Sequence, residues 1–95
     1  MQVKVLYLGL IRNKVGKKEE EHEIREGASL VDLLNKLAET HGKGLSGFFN
    51  VDKESQLDPT FIVTVNGALR DPFHETDVKL KNGDAIVLMT LISGG

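Results

Sequence analysis

The residues with the clearest capacity for chemistry stand at the end of the chain, Ser93-Gly94-Gly95, just after the apolar run Ala85-Ile86-Val87-Leu88-Met89 and Leu91-Ile92. Glycine has no Cβ, so a Gly-Gly end lies extended and enters channels too narrow for any other residue. The Gly95 carboxylate is inert at neutral pH and becomes useful once something activates it. Three extended residues reach only about 10 Å, so a body carrying such an end must dock closely against whatever uses it. The expectation is a domain over residues 1–92 that serves as the handle for a flexible tail over residues 93–95.

Other chemistry-bearing residues are weaker candidates. His22, His41 and His74 are dispersed along the chain, so no local metal motif is expected, and each reads as a surface or strand histidine. Glu19-Glu20-Glu21 with Glu23 and Glu26 reads as a solvated acidic face, or more sharply as a patch for a basic partner. Lys14, Lys17 and Lys18 form a basic turn too small to bind nucleic acid. Asn66-Gly67 and Asn82-Gly83-Asp84 are turn chemistry rather than phosphate cradles. No catalytic constellation of side chains is visible. The absence of cysteine excludes disulfides, thiolate metal sites and a cysteine nucleophile, and any sulfur chemistry must take its sulfur from elsewhere.

Composition sets the frame for these residues. Ninety-five residues, 40% hydrophobic and 27% charged, suit one soluble domain that buries roughly 60–65% of its unfolded surface. A net charge of −2 offers no basic field for nucleic acid. No apolar run approaches the roughly 18 residues of a membrane span, and the N-terminus lacks signal-peptide form, so the expected location is cytoplasmic.

The elements that must position the tail follow from periodicity. Val3, Val5 and Tyr7 alternate with Gln2, Lys4 and Leu6, a strand with one buried face. Residues 12–18 read as a polar turn, and the alternation from Glu21 to Arg25 puts His22 and Ile24 on one face, so the first two strands read as a long hairpin. Ser29 is a helix N-cap, with Asp32 placing negative charge in the first turn. Leu30, Leu33, Leu34, Leu37 and Ala38 form one apolar stripe that ends near His41, before Gly42. Residues 43–59 carry little periodicity, although Phe48, Phe49 and Val51 could pin them to the core. Phe61 to Val65 reads as a strand, Asn66-Gly67 as a hairpin turn, Ala68 to Arg70 as a short return, and Ala85 to Ile92 as the last strand. One helix on one mixed sheet of four to five strands, with the last strand beside the first, is an α+β β-grasp fold.

The last strand is apolar on both sides. Ile86, Leu88 and Ile92 face one way; Val87, Met89 and Leu91 face the other. With a single main helix, one sheet face is left partly uncovered, and Met89, Leu91, Ile92 and Ser93 near the tail read as a docking surface for partners. Val87 is equally well explained as part of a central strand.

The chain resembles the ubiquitin-like sulfur-carrier family (MoaD-like and ThiS-like proteins), and most of all the small subunit of molybdopterin synthase. The resemblance rests on Val3-Lys4-Val5-Leu6-Tyr7 with Arg12 and Gly16; on Gly27-Ala28-Ser29-Leu30-Val31-Asp32-Leu33-Leu34; on Val65-Asn66-Gly67; on Leu80-Lys81-Asn82-Gly83-Asp84-Ala85-Ile86; and on the terminal Ser93-Gly94-Gly95. The family often carries prolines just before its terminal Ser-Gly-Gly, where this chain has Met89-Thr90-Leu91-Ile92. The match is therefore closer to the carrier class than to molybdopterin synthase in particular.

The resemblance implies a mechanism. An ATP-dependent adenylating enzyme (MoeB- or ThiF-like) activates the Gly95 carboxylate, and a sulfur donor then displaces the adenylate to leave a thiocarboxylate. The thiocarboxylate passes sulfur to a precursor bound by a large subunit (MoaE-like). The chain itself would hold no cofactor, ATP and Mg²⁺ belonging to the activating partner, and it would be a carrier subunit rather than a complete enzyme. Three alternatives keep other ends open: conjugation of Gly95 to lysines as a ubiquitin-like modifier; sulfur donation for tRNA thiolation or thiamine synthesis; and a β-grasp interaction module whose terminus does nothing.

Overall fold

The computed structural model describes residues 1–42, 45, 61–72, 74–75 and 77–90. Among these, the elements run β1 (Gln2–Tyr7), α1 (Gly9–Val15), β2 (Glu19–Glu23), α2 (Leu30–His41), β3 (Phe61–Val65), β4 (Ala68–Arg70) and β5 (Ala85–Thr90). The five strands form one sheet in the order β2-β1-β5-β3-β4. Strand β5 runs parallel to β1, pairing Leu6 with Val87 and Tyr7 with Leu88. It runs antiparallel to β3, pairing Val63 with Leu88 and Ile62 with Met89. The last strand is thus the central one, beside the first, the pairing that a β-grasp fold requires. The architecture is the α+β β-grasp.

The core lies between the inner face of the sheet and α2. Val3, Val5 and Tyr7 of β1, Ile86 and Leu88 of β5, and Leu30, Leu33, Leu34 and Leu37 of α2 are all buried. Helix α2 starts where a capping box closes its first turn. The Ser29 hydroxyl accepts from the Asp32 backbone N–H at 3.1 Å, and the Asp32 carboxylate accepts from the Ser29 N–H at 2.9 Å, satisfying two N–H groups that the helix itself cannot. The helix ends at His41, as its stripe implied.

One connection differs from the sequence reading. Strands β1 and β2 do pair antiparallel, but the seven-residue helix α1, rather than a simple hairpin turn, joins them. Ile11 and Val15 stand four apart, one turn of helix. Ile11 is fully buried and Val15 packs against the core. Of the helix's three apolar residues Leu10 is exposed, and the two that face inward are too few to announce a helix by periodicity, yet sufficient to seat one against β5. Segment 43–59, apart from the buried Leu45, lies outside the described residues, and so do the expected anchors Phe48, Phe49 and Val51.

The β3–β4 connection is the turn that Asn66-Gly67 announced. Asn66 has φ 51° and Gly67 φ 84°, the pair of positive values that a two-residue hairpin loop requires. Asn66 also reaches across to the start of β5. Its Nδ2 donates to Asp84 Oδ1 at 2.9 Å, and its Oδ1 accepts from the Ala85 N–H at 2.9 Å. Asp84 in turn accepts from the Lys81 N–H at 2.8 Å. These side-chain bonds fix where β5 enters the sheet, and therefore where its other end leaves it.

Candidate functional site

Strand β5 carries the chain toward the tail. Its burial alternates, with Ile86, Leu88 and Thr90 inward and Ala85, Val87 and Met89 half-buried on the outer face. The two-sided apolarity noted in the sequence therefore resolves into one face under α2 and one face away from it. Met89 lies on the outer face opposite Ile62. Leu91, Ile92, Ser93, Gly94 and Gly95 lie outside the described residues, and so does the expected boundary between residues 92 and 93.

The outer face forms an apolar band across four strands. Leu6 of β1 pairs with Val87, Val87 with Thr64 of β3, and Thr64 with Leu69 of β4. Leu69 is 69% exposed. Leu8 and Leu10, also exposed, sit beside the departing end of β5, where the Leu8 N–H donates to the Leu88 carbonyl at 3.0 Å. Along the β2 edge the same face turns acidic, because Glu19, Glu21 and Glu23 point outward and Lys4 meets Glu19 at 3.8 Å. An apolar band with a charged rim is the general form of a protein-docking surface. A surface recess of about 400 Å³ lies at the opposite end of the sheet, lined by Gln2, Lys4, Glu21 and Asn82 among others, away from where β5 points.

The sequence reading missed one cluster. Glu20 turns inward while its neighbours Glu19 and Glu21 turn out. It meets His22 from its own strand, His41 from the last position of α2, and Tyr7 from the end of β1. The Tyr7 hydroxyl donates to Glu20 Oε1 at 2.5 Å, and Lys17 Nζ donates to Glu20 Oε2 at 3.2 Å. His41 Nε2 contacts Glu20 Oε1 directly, and its ring stands edge-on to Tyr7 with centroids 5.8 Å apart.

Two groups in the cluster are shifted strongly. Burial pushes the Glu20 carboxyl up, but the hydrogen bonds from Tyr7 and His41 outweigh it and hold the group far below the usual carboxylate range. Burial, reinforced by the bond to Glu20, pushes the Tyr7 phenol far above its ordinary value. The three histidines looked dispersed because only local spacing was available. The fold closes the 21 positions between Glu20 and His41 and leaves His74 elsewhere, against Asp71 at 2.6 Å. Extending the alternation of Glu21 to Arg25 back to Glu19, where β2 begins, would have set Glu20 on the face of His22; nothing local could add His41.

A sequence model of the ThiS family matches residues 5–95. Among solved structures, the chain is similar to the modifier protein SAMP1 from Haloferax volcanii, at 21% identity and a TM-score of 0.80, with 100% of each chain covered. It is also similar to a Pyrococcus furiosus protein described as a candidate molybdopterin converting factor, subunit 1, at 29% identity and a TM-score of 0.75, covering 97% of this chain and 99% of that one. Urm1 from Trypanosoma brucei shares 20% identity at a TM-score of 0.74, with 99% and 95% covered. No curated protein matches the sequence. No helix among the described residues is long and apolar enough to cross a membrane.

Proposed function

The chain belongs to the ThiS family of ubiquitin-like sulfur carriers, and on that premise we propose that it works through the Gly95 carboxylate, converted to a thiocarboxylate that donates sulfur. The observation that carries this reading is the family match running from within β1 through residue 95, so that it takes in Gly94-Gly95 as well as the strands.

The chemistry asks little of the chain beyond presentation. A carboxylate oxygen attacks the α-phosphorus of ATP in the activating enzyme and pyrophosphate leaves. Hydrosulfide released by a sulfur donor then attacks the acyl carbon and AMP leaves, so that a C–S bond replaces the C–O bond to AMP and the thiocarboxylate is left. ATP and Mg²⁺ belong to that enzyme. The carrier contributes reach and orientation, which can supply much of a rate enhancement. Gly94 lets the backbone approach the nucleotide without a side chain in the way.

The outer band of Leu6, Val87, Ile62, Met89 and Leu69 supports the docking part of the proposal. It lies on the face opposite α2, and β5 runs through its centre. A partner seated there would hold the body while the tail extends into its site. Met89, Leu91, Ile92 and Ser93 are the residues we assign to contact with the activating enzyme and with the large subunit that consumes the sulfur. The acceptor we favour is a molybdopterin precursor, supported by the 29% identity to the Pyrococcus furiosus protein over nearly the whole of both chains.

Intact-mass measurement after co-expression with an adenylating enzyme tests the reading. Replacement of one oxygen by one sulfur, lost on deletion of Gly95, is the expected result. Gly95 joined to lysines of other proteins would instead make the chain a modifier. An unaltered mass, with function intact after removal of Gly94-Gly95, would leave only an interaction module.

A further inference from the structure

The carrier chemistry has no use for the cluster beneath the β2 edge. There, donor atoms of Glu20, His22 and His41 all lie within 4.8 Å of one another. Each of the three side chains is nearly buried, with 9% of His22, 12% of His41 and 13% of Glu20 exposed. Two imidazoles and one carboxylate form a ligand set that suits zinc, whereas the hard cations prefer oxygen donors throughout.

A second observation points into the same space. His22 Nε2 is buried without a hydrogen-bond partner, although Glu20 Oε1 lies 2.9 Å away. The nitrogen is close to the carboxylate but off the line that an N–H···O bond requires. Buried ring nitrogens are normally satisfied, and an unsatisfied one within 4.8 Å of a carboxylate oxygen and a second imidazole nitrogen is within reach of a shared metal ion. The electrostatics agree. The negative end of the α2 dipole lies at His41.

We propose that Glu20, His22 and His41 form a binding site for a divalent transition-metal ion, with zinc as its occupant, held through His22 Nε2, His41 Nε2 and a Glu20 carboxylate oxygen. Bond lengths of about 2.0–2.2 Å in a tetrahedron place donors about 3.3 Å apart. His41 and Glu20, now in direct contact, therefore separate slightly as the ion enters between them. His41 is the last residue of α2, where a small shift disturbs little of the helix. Tyr7 and Lys17, bonded to the two oxygens of Glu20, orient the carboxylate from outside, as partners of ligating groups generally do. The fourth position falls to water or to the second carboxylate oxygen. Bound there, the ion ties the edge strand β2 to the end of α2 and acts as a staple for a small domain.

The test is calorimetric titration of the full chain with Zn²⁺ after chelator treatment, with Co²⁺ as a visible-absorption probe of coordination. The expected result is one ion per chain, a four-coordinate Co²⁺ spectrum, and a melting temperature raised by roughly 10–20 °C when free Zn²⁺ is about a hundred times Kd. His41→Gln and Glu20→Gln each weaken binding by at least about tenfold, whereas His74→Gln, at a separate exposed histidine, leaves it unchanged. Circular dichroism establishes that each variant is folded. If Glu20→Gln does not fold, His41→Gln, at the helix end, decides alone. Zinc binding unaltered by His41→Gln, binding lost with His74→Gln, or no heat and no thermal shift in the unaltered chain would each overturn the site. A chain lacking Gly94-Gly95 binds zinc equally well, so failure of the metal site and failure of the carrier reading are distinguishable.

Discussion

Leu69→Ala tests the docking role proposed for the outer sheet face against the stabilising role of the inner one. Leu69 belongs to the short edge strand β4 and is 69% exposed. Complete burial of a leucine side chain contributes about 1.5–3 kcal/mol. About two-thirds of that remains for a partner to gain, or about 1–2 kcal/mol. Truncation should therefore weaken docking by roughly 5- to 30-fold. Its effect on folding should stay within about 0.5 kcal/mol, as for surface positions generally, or within about 4 °C in melting temperature.

Leu88→Ala is the matched control. Leu88 is fully buried at the centre of the sheet, and its truncation should cost about 2–5 kcal/mol of stability. The assay is kcat/KM for ATP-dependent activation of the chain by its adenylating enzyme, beside thermal unfolding of each variant. Unchanged kcat/KM for Leu69→Ala would remove the outer band from the docking surface. A loss of stability equal to that of Leu88→Ala would show Leu69 to be part of the core.

Leu91→Asp is expected to weaken partner binding more than stability; equal losses in calorimetric affinity and in unfolding free energy would place Leu91 in the core. Asn66→Ala removes the bonds to Asp84 and Ala85 and leaves a Cβ residue at φ 51°, so urea unfolding should show a loss of about 2 kcal/mol. Asn66→Gly should recover only the backbone part. Asp32 is held below the usual carboxylate range, chiefly by the Ser29 N–H. A lowered folded value means that its contribution is complete above the ordinary carboxylate pKa and is lost as pH falls through the lowered one. The stability difference between the unaltered chain and Asp32→Asn should therefore shrink on acidification; a constant difference down to about pH 2 would refute the capping role of the charge.

Local pattern was sufficient wherever a segment's own residues dictate its conformation. Alternation in β1, the leucine stripe and Ser29 cap of α2, the Asn66-Gly67 turn and the two-sided β5 each carry their instruction within a few neighbours. Helix α1 escaped because its two inward-facing apolar residues, Ile11 and Val15, acquire their meaning only against the core.

The outer apolar band and the Glu20-His22-His41 cluster are of another kind. Leu6, Val87, Thr64 and Leu69 come from four strands, and their adjacency is a matter of strand order and register, neither of which a single strand encodes. His41 meets Glu20 because a helix of fixed length crosses the sheet and ends above its edge. Side-chain type and spacing settle which face of an element is apolar, because that depends on a period of two or of 3.6 residues. Contacts between elements depend on how those faces close together into one core, and that is decided only when the whole chain has folded.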